Sequence, residues 1–165
     1  KALESLQNII IDGTGAASKP LLKKKAELEA LGYKTFMLMI YTSPLTSLQR
    51  NSERDRSLMP SIVLRTWRDV NKNIDLYKKE FGDNFILINN NPEEANLDFS
   101  KELAYPYFQD SKAKSGKEKS PEEIEKKKKE IEQMNQDIEQ LVKNLPKFDS
   151  ISTAKSKIQT FLKWK

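Results

Sequence analysis

Asp12 ends a short apolar run, Ile9-Ile10-Ile11, and is followed by the turn-forming sequence Gly13-Thr14-Gly15. Short β-branched runs of this kind are typical of a buried parallel strand. The acid would then lie at the carboxyl end of that strand, where open α/β sheets bind their ligands. A carboxylate in that place can hold Mg²⁺ beside a bound phosphate. The alternative is a carboxylate that only caps its own glycine-rich turn.

A second candidate is a group of arginines between two predicted strands. Five of them fall within 19 residues: Arg50, Arg54, Arg56, Arg65 and Arg68. The planar guanidinium group suits phosphate oxygens, and several on one centre would offset the charge that develops during phosphoryl transfer. The stretch follows the carboxyl end of a strand, where a mobile lid would lie. The alternative is a charged surface helix whose arginines pair with Glu53, Asp55 and Asp69.

Residues 13–19 depart from the usual phosphate-binding loop. That loop reads Gly, any four residues, Gly-Lys and then Ser or Thr. Counting from Gly13, Ser18 stands in place of the second glycine and Pro20 in place of the metal-binding hydroxyl. Proline has no N–H to donate to a phosphate, so both departures count against the loop. The remaining glycines are isolated, and no other stretch of the 165 residues fits the pattern.

Composition narrows the chemistry further. The chain has neither cysteine nor histidine, which excludes disulfides, cysteine nucleophiles, Ser-His-Asp catalysis and metal sites built from thiolate or imidazole. Acid–base work would fall to Asp, Glu, Lys or Tyr. The net charge of +5 fits anionic partners such as nucleotides or nucleic acid, but it also fits a solvated surface. No aromatic-plus-basic motif favours nucleic acid, and no apolar run approaches the ~20 residues of a membrane span.

The order of the predicted elements is that of a parallel α/β sheet. The strand over 9–12 is followed by a helix that begins at Pro20, with Ser18 as its cap, and ends at Gly32. The later elements are a strand over 33–42, a short helix over 45–50, a helix over 61–81, a turn at 82–84 and a strand over 85–88. This β-α-β-α-α-β order predicts a parallel three-layer domain within residues 1–109.

The composition changes after about residue 95. A short helix over 97–103 and an aromatic cluster at 105–108, which could hold a strap against the core, precede a solvated linker over 110–119. Residues 120–165 form a helical extension that begins at Ser120 with a strong capping sequence. One helix over 120–144 and a second over 151–165 could fold back as an αα-hairpin.

The first of these C-terminal helices carries an interrupted heptad seam. Its apolar positions, seven residues apart, are Ile124, Ile131, Ile138 and Leu145. A seam of this length either packs back on the α/β domain or pairs with a partner helix, including a second copy of the chain. The lysines at 126–129 are interleaved with glutamates and therefore indicate a solvated face more than a nucleic-acid contact.

Several motifs, taken in order, resemble the second half of a P-loop kinase. These are Ile-Ile-Ile-Asp-Gly-Thr-Gly, then Leu-Gly-Tyr-Lys before an apolar strand, Tyr-Thr-Ser-Pro, and Arg-Asn-x-x-Arg-x-Arg followed by a proline. The group they resemble is the zeta-toxin and polynucleotide-kinase-like one. The match covers about residues 6–91. The resemblance implies a three-layer parallel sheet of P-loop kinase type, incomplete at its N-terminus because the phosphate loop and catalytic base of the family precede the equivalent of Asp12.

The resemblance also implies roles for individual residues. Asp12 would be a catalytic residue and the Mg²⁺ ligand, and Arg50 and Arg56 would be catalytic lid arginines. Thr14, Arg54 and Asn90 would contact ATP, while Arg65 and Arg68 are further candidates for the lid.

We therefore expect an ATP-dependent, kinase-like domain of a cytoplasmic protein. It would move the γ-phosphoryl group of ATP, with Mg²⁺, to a hydroxyl of a small molecule, a nucleotide-sugar or a polynucleotide end. The missing phosphate loop would come from an upstream segment or another chain, or the protein would be a degenerate relative. One alternative is a non-catalytic assembly protein that uses its C-terminal helices; another is a basic nucleic-acid-binding module, whose affinity would fall steeply with salt.

Overall fold

A computed structural model describes residues 7–92 and 120–163. The elements are α1 (Ser18–Ala30), β1 (Met37–Tyr41), α2 (Pro44–Ser52), α3 (Pro60–Asn71), α4 (Ile74–Phe81), β2 (Phe85–Asn89), α5 (Pro121–Lys143) and α6 (Ile151–Leu162). A single 3₁₀ turn, Gly82–Asn84, joins α4 to β2. The helix predicted over 97–103, the aromatic cluster at 105–108 and the linker over 110–119 lie outside the described residues.

β1 and β2 form a two-stranded parallel sheet. Met37 lies opposite Phe85 and Tyr41 lies opposite Asn89. The helices α2, α3 and α4 form the crossover that a parallel pair requires. The sequence prediction of these two strands is confirmed, although β1 is shorter than the predicted 33–42 and three helices, not the predicted two, connect the strands. The backbone N–H of Asn90 donates to Tyr41 O at 2.8 Å, just beyond the last residue of β2.

The strand predicted for residues 9–12 is wrong, because the structure has no strand there. Ile10 is 97% exposed, and Ile9 and Ile11 are exposed as well. β-branched residues favour a strand only where a neighbouring backbone pairs with it and another layer covers it. The sheet of the described residues contains β1 and β2 alone. The β propensity of Ile9–Ile11 is not enough to form a strand without a neighbour to pair with, so this segment is irregular.

The N-terminal end of α1 differs from the prediction in its cap. Ala17 is the N-cap, and no side chain makes a capping hydrogen bond there. The chain just before α1 is fixed from outside: Tyr77 Oη donates to Gly15 O at 2.6 Å and Asn73 Nδ2 donates to Ala16 O at 2.9 Å. The entry to α1 thus depends on α4 and the residue before it, which local capping rules do not describe.

The helix predicted over 61–81 is divided into α3 and α4. Asn73 Nδ2 donates to Asp69 O at 2.9 Å, and the backbone N–H of Asn73 donates to Val70 O at 3.1 Å. A continuous helix would pair the Asp69 carbonyl with the N–H of residue 73. The Asn73 side chain takes that carbonyl instead, which is the known competition of Asn with helical backbone bonds.

The core lies on one face of the sheet. Tyr41 of β1 packs edge-on against Trp67 of α3, with ring centroids 6.1 Å apart. The indole N–H of Trp67 donates to Thr42 O at 2.7 Å, so its one polar group is satisfied. The other buried members of this cluster are Met39, Leu64, Ile74, Tyr77, Phe85, Leu87, Met134, Ile138 and Val142. Helices α3, α4 and α5 therefore share one core with both strands.

The opposite face of β1 is much less covered. Leu38 is 46% exposed and Ile40 is 50% exposed, whereas Ile86 of β2 is fully buried. Helix α6 contacts β2, and the ring of Phe161 lies 4.9 Å from that of Phe36. Two apolar residues of β1 thus remain half-exposed on a strand type that is normally covered on both faces.

Helix α5 begins with the predicted capping box. Ser120 Oγ accepts from Glu123 N at 3.3 Å, and Glu123 Oε2 accepts from Ser120 N at 3.1 Å. The first half of α5 is exposed, and the second half contributes Met134, Ile138 and Val142 to the core. Within the described residues, α5 packs against α3 and α6 packs against β2.

Asp137 joins α5 to α3 by charge. Its carboxylate lies 2.5 Å from Lys72 Nζ and 3.7 Å from Arg68 Nη1. Burial alone would raise the pKa of Asp137. The hydrogen bonds from Lys72 and Gln133 and the charges of Lys72 and Arg68 outweigh it, and they hold this pKa below its ordinary value.

The connection between α5 and α6 runs along the outer edge of β2. Asp149 N donates to Leu87 O at 2.8 Å, and Leu87 N donates to Asp149 Oδ2 at 3.0 Å. Lys157 Nζ lies 3.2 Å from Asp149 Oδ1 and fixes that carboxylate. This edge of the sheet is therefore occupied by the chain itself, which is a common protection against edge-to-edge association. None of the helices in the described ranges is long and apolar enough to cross a membrane.

Candidate functional site

The candidate site is the arginine loop, which we define as residues 50–58, together with the chain after β2. Arg50 lies in the last turn of α2, and residues 52–59 are exposed. Arg54 and Arg56 lie within this exposed stretch and make no side-chain hydrogen bond or ion pair with the described residues. As far as the described residues go, both guanidinium groups can therefore bind an anion from solution.

Arg50 ties the loop to the end of the sheet. Its Nη2 donates to Asn90 O at 2.8 Å. Asn90 is the residue after β2, and α2 starts three residues after β1 ends. The structure therefore brings together Arg50 and Asn90, two residues that the sequence placed in the same site, at the carboxyl end of the sheet.

A polar network fixes the start of α2 against the same end of the sheet. Ser43 caps the helix, its Oγ accepting from Thr46 N at 3.1 Å. The backbone N–H of Ser43 donates to Asn91 Oδ1 at 2.7 Å. The Asn91 side chain thus links the chain after β2 to the chain after β1. The position of α2, and of Arg50 at its far end, is set by these bonds.

Asn51 closes the loop. Its side chain is 7% exposed, and Nδ2 donates to Leu58 O at 2.8 Å while Oδ1 accepts from Leu58 N at 2.9 Å. Asn51 belongs to the Arg-Asn-x-x-Arg-x-Arg motif, but an Asn within a charged stretch carries no signal for such a contact. The Ser-Pro pair at 43–44, by contrast, is a recognisable helix start.

Asp12 and Thr14 lie in the exposed segment before α1. Thr14 Oγ1 accepts from Ala16 N at 3.4 Å, and Asp12 forms no ion pair with the described arginines. Gly15 has φ of 73°, a left-handed conformation that suits glycine at this turn. The structure thus gives no contact that joins Asp12 or Thr14 to the arginine loop.

The sequence predicts one carboxylate, that of Asp12, as the protein's ligand for Mg²⁺. Within the described ranges, no three acidic side chains come together as a metal cluster. Mg²⁺ often takes only one or two carboxylates from the protein and completes its shell with phosphate oxygens and water. Asp12 alone therefore fits Mg²⁺ that arrives with a nucleotide better than it fits a metal held by protein groups only.

The other two arginines have different surroundings. Arg68 donates to Asp69 Oδ1 at 2.9 Å and also lies near Asp137, so it holds α3 to α5. The pair of Arg68 with Asp69 is the one that the alternative of a charged surface helix predicted. Arg65 is exposed on α3. Glu53, which could have paired with a lid arginine, accepts from Gln49 Nε2 at 3.0 Å instead.

A cleft of about 520 Å³ lies away from this site, between α4, β2 and the α5–α6 connection. Its lining includes Phe85, which begins β2 at the end opposite Asn90. Lys157 also lines it, but its ammonium group is already held by Asp149 Oδ1 and Phe85 O. The cleft is therefore separate from the arginine loop.

Comparison with known proteins found no match to a family model, a curated protein or a solved structure.

Proposed function

We propose that the chain is part of an ATP-dependent phosphotransferase, whose arginine loop contacts the phosphates during transfer to a hydroxyl. The observation that carries this proposal is the bond from Arg50 to Asn90 O. It fixes an exposed loop at the carboxyl end of a parallel sheet, and two arginines of that loop make no ion pair with the described residues. Ligands of open α/β sheets bind at that end.

The exposed face of β1 supports the proposal that the phosphate loop comes from a segment outside this chain. β1 has a strand on one side only among the described residues, and its Leu38 and Ile40 are half-exposed. The run Ile9–Ile11, which has the composition of a buried strand, is exposed too. A further strand that carries the phosphate loop would give this run a neighbour to pair with, and the helix that follows such a strand would cover the exposed face of β1.

Each residue has a proposed part in the reaction. Arg50 and Arg56 would bind the transferred phosphoryl group and offset the charge that develops on its oxygens. Arg54, Thr14 and Asn90 would hold the nucleotide. Mg²⁺ bound with ATP neutralises phosphate charge, and Asp12 is the carboxylate that this chain would offer to it. The acceptor would be a small molecule, a nucleotide-sugar or a polynucleotide end.

Titration calorimetry of the full chain with Mg·ATP tests the proposal. Two charge-assisted hydrogen bonds at about 2 kcal/mol each give about 4 kcal/mol, or a Kd of about 1 mM in the absence of a phosphate loop. We expect Arg50→Gln and Arg56→Gln each to weaken binding about thirtyfold, which corresponds to the loss of about 2 kcal/mol. Lys79→Gln, which removes the same charge from the exposed face of α4, should have little effect. Equal weakening by all three substitutions, or the absence of binding at 10 mM (about tenfold above that Kd), would contradict the proposal.

The assembly function has one observation in its favour, which is the exposed first half of α5. Ile124 is 42% exposed there, but Ile138 of the same seam is buried in the core of its own chain. About ten residues of seam thus remain for a partner helix, less than the three or four heptads that a coiled coil usually needs. Light scattering should therefore give the same mass for the full chain and for Ile124→Ser. A lower mass for the variant would favour assembly through α5.

A further inference from the structure

The two ends of the exposed part of the arginine loop are held together by one side chain. The Asn51 carboxamide donates to Leu58 O and accepts from Leu58 N, as the backbone of a paired strand residue would. Residues 52–57 lie between these two points and are all exposed. From Asp55 to Ser57, no hydrogen bond joins the loop to other described residues. Asn51 is thus the contact that defines the shape of this stretch.

Only an amide side chain of this length meets both requirements of the site. Aspartate would accept from Leu58 N but would place a carboxylate against Leu58 O, and alanine or leucine would leave both backbone groups unpaired. Both bonds are part-buried, since Asn51 is 7% exposed and Leu58 is 51% exposed, so an unpaired polar group there carries some desolvation cost. We call the two hydrogen bonds between Asn51 and Leu58 the clamp. Without the clamp, the loop gains conformational freedom, and a ligand that binds it must pay the entropy cost of ordering it.

We infer that Asn51 is a positioning residue, which orders the loop so that Arg54 and Arg56 bind a chain of phosphates together. The inference rests on the proposed function, because it assumes that these arginines contact phosphate. A preordered loop binds more tightly because less freedom is lost on binding. The benefit grows with the number of arginines that engage one ligand. Asn51 therefore favours a polyphosphate over a single phosphate ion.

The test compares tripolyphosphate with inorganic phosphate as probes, on the full chain, by titration calorimetry. We expect Asn51→Ala to weaken tripolyphosphate binding about tenfold and inorganic phosphate binding less than twofold. Asn71→Ala is the matched control, since Asn71 is also buried, its amide donates to Trp67 O in α3, and among the described residues no hydrogen bond joins it to the loop. It should leave the affinities for both probes unchanged, whatever it does to stability.

The outcomes separate the inference from the proposed function. If Arg54→Gln with Arg56→Gln leaves tripolyphosphate affinity unchanged, both fail. If that double substitution weakens binding but Asn51→Ala does not, only the inference fails. Equal weakening by the Asn51 and Asn71 substitutions also overturns it.

A measurement on the unaltered chain covers the case in which Asn51→Ala fails to fold. The backbone N–H of Leu58 is bonded to Asn51 Oδ1, so it should exchange with solvent more slowly than those of residues 55–57. Saturating tripolyphosphate should slow its exchange at least threefold more. Exchange of the Leu58 N–H that is as fast as in its neighbours, or unchanged by tripolyphosphate, would overturn the inference.

Discussion

Ile124 and Ile138 are the same residue at equivalent heptad positions of one helix, but the structure gives them different surroundings. Ile138 is fully buried in the core shared with β1 and α3, and Ile124 is 42% exposed. Replacing a fully buried Ile by Ala costs about 2–5 kcal/mol, since transfer free energy is lost and a cavity remains. A surface change of the same kind usually costs less than about 0.5 kcal/mol. We therefore expect Ile138→Ala to be far more destabilising than Ile124→Ala.

Urea unfolding and thermal unfolding, both followed by far-UV circular dichroism, measure this difference. For a chain of this size, about 3 kcal/mol corresponds to a fall in Tm of roughly 6–12 °C. The Ile124→Ala variant is the internal control, because it makes the same change in helix propensity and side-chain size. Equal effects of the two substitutions would refute the assignment of α5 to the core. So would a stability loss at Ile124 that depends on protein concentration, because that would indicate a partner helix.

Two further predictions concern single contacts. Asp137→Asn should cost roughly 0.5–1 kcal/mol near neutral pH by weakening the pairs with Lys72 and Arg68. Because the folded pKa of Asp137 lies below its ordinary 3.8, this stability is full above that value and is lost as pH falls through the folded pKa. The stabilities of the two proteins, measured by unfolding between pH 2 and 7, should therefore converge at the acid end. A constant difference across this pH range would contradict the account. Tyr77→Phe should cost about 1 kcal/mol in urea unfolding because its hydroxyl no longer donates to Gly15 O; faster proteolysis before α1 should accompany it, and an unchanged midpoint would contradict the account.

Sequence rules worked best where local signals agreed with one another. The capping box at Ser120 and the heptad spacing of apolar residues along α5 act within one helix, so both could be predicted. The parallel pairing of β1 with β2 followed from two apolar runs and a helical crossover between them. In each case the physical cause lies within a few residues of the pattern that reveals it.

The failures come from contacts between distant residues. Ile9–Ile11 has the composition of a strand but lacks a described neighbour to pair with. The break between α3 and α4 comes from Asn73, whose side chain reaches both its own helix and Ala16. Neither partner could be read from a local pattern.

The candidate site was predictable in part. Position after a strand suggested that Arg50 lies at the carboxyl end of the sheet, and the family resemblance suggested the same site for Asn90. The structure brings these two residues together. The clamp from Asn51 to Leu58 was not predictable, because one amide among charged residues gives no sign of what it contacts. The roles of Asp12 and Thr14 stay predictions, since no contact joins them to the loop.

Phosphate binding by the arginine loop at the carboxyl end of the sheet is the central claim. Titration of the ¹⁵N-labelled chain with Mg·ATP, followed by amide chemical shifts, tests this most directly because it shows where the nucleotide binds. We predict that the largest shifts occur at residues 50–58, with smaller ones at Asn90 and at residues 12–14. Shifts confined to the lysines of α5 or to the cleft beside Lys157, or no shifts at any site, would contradict the claim.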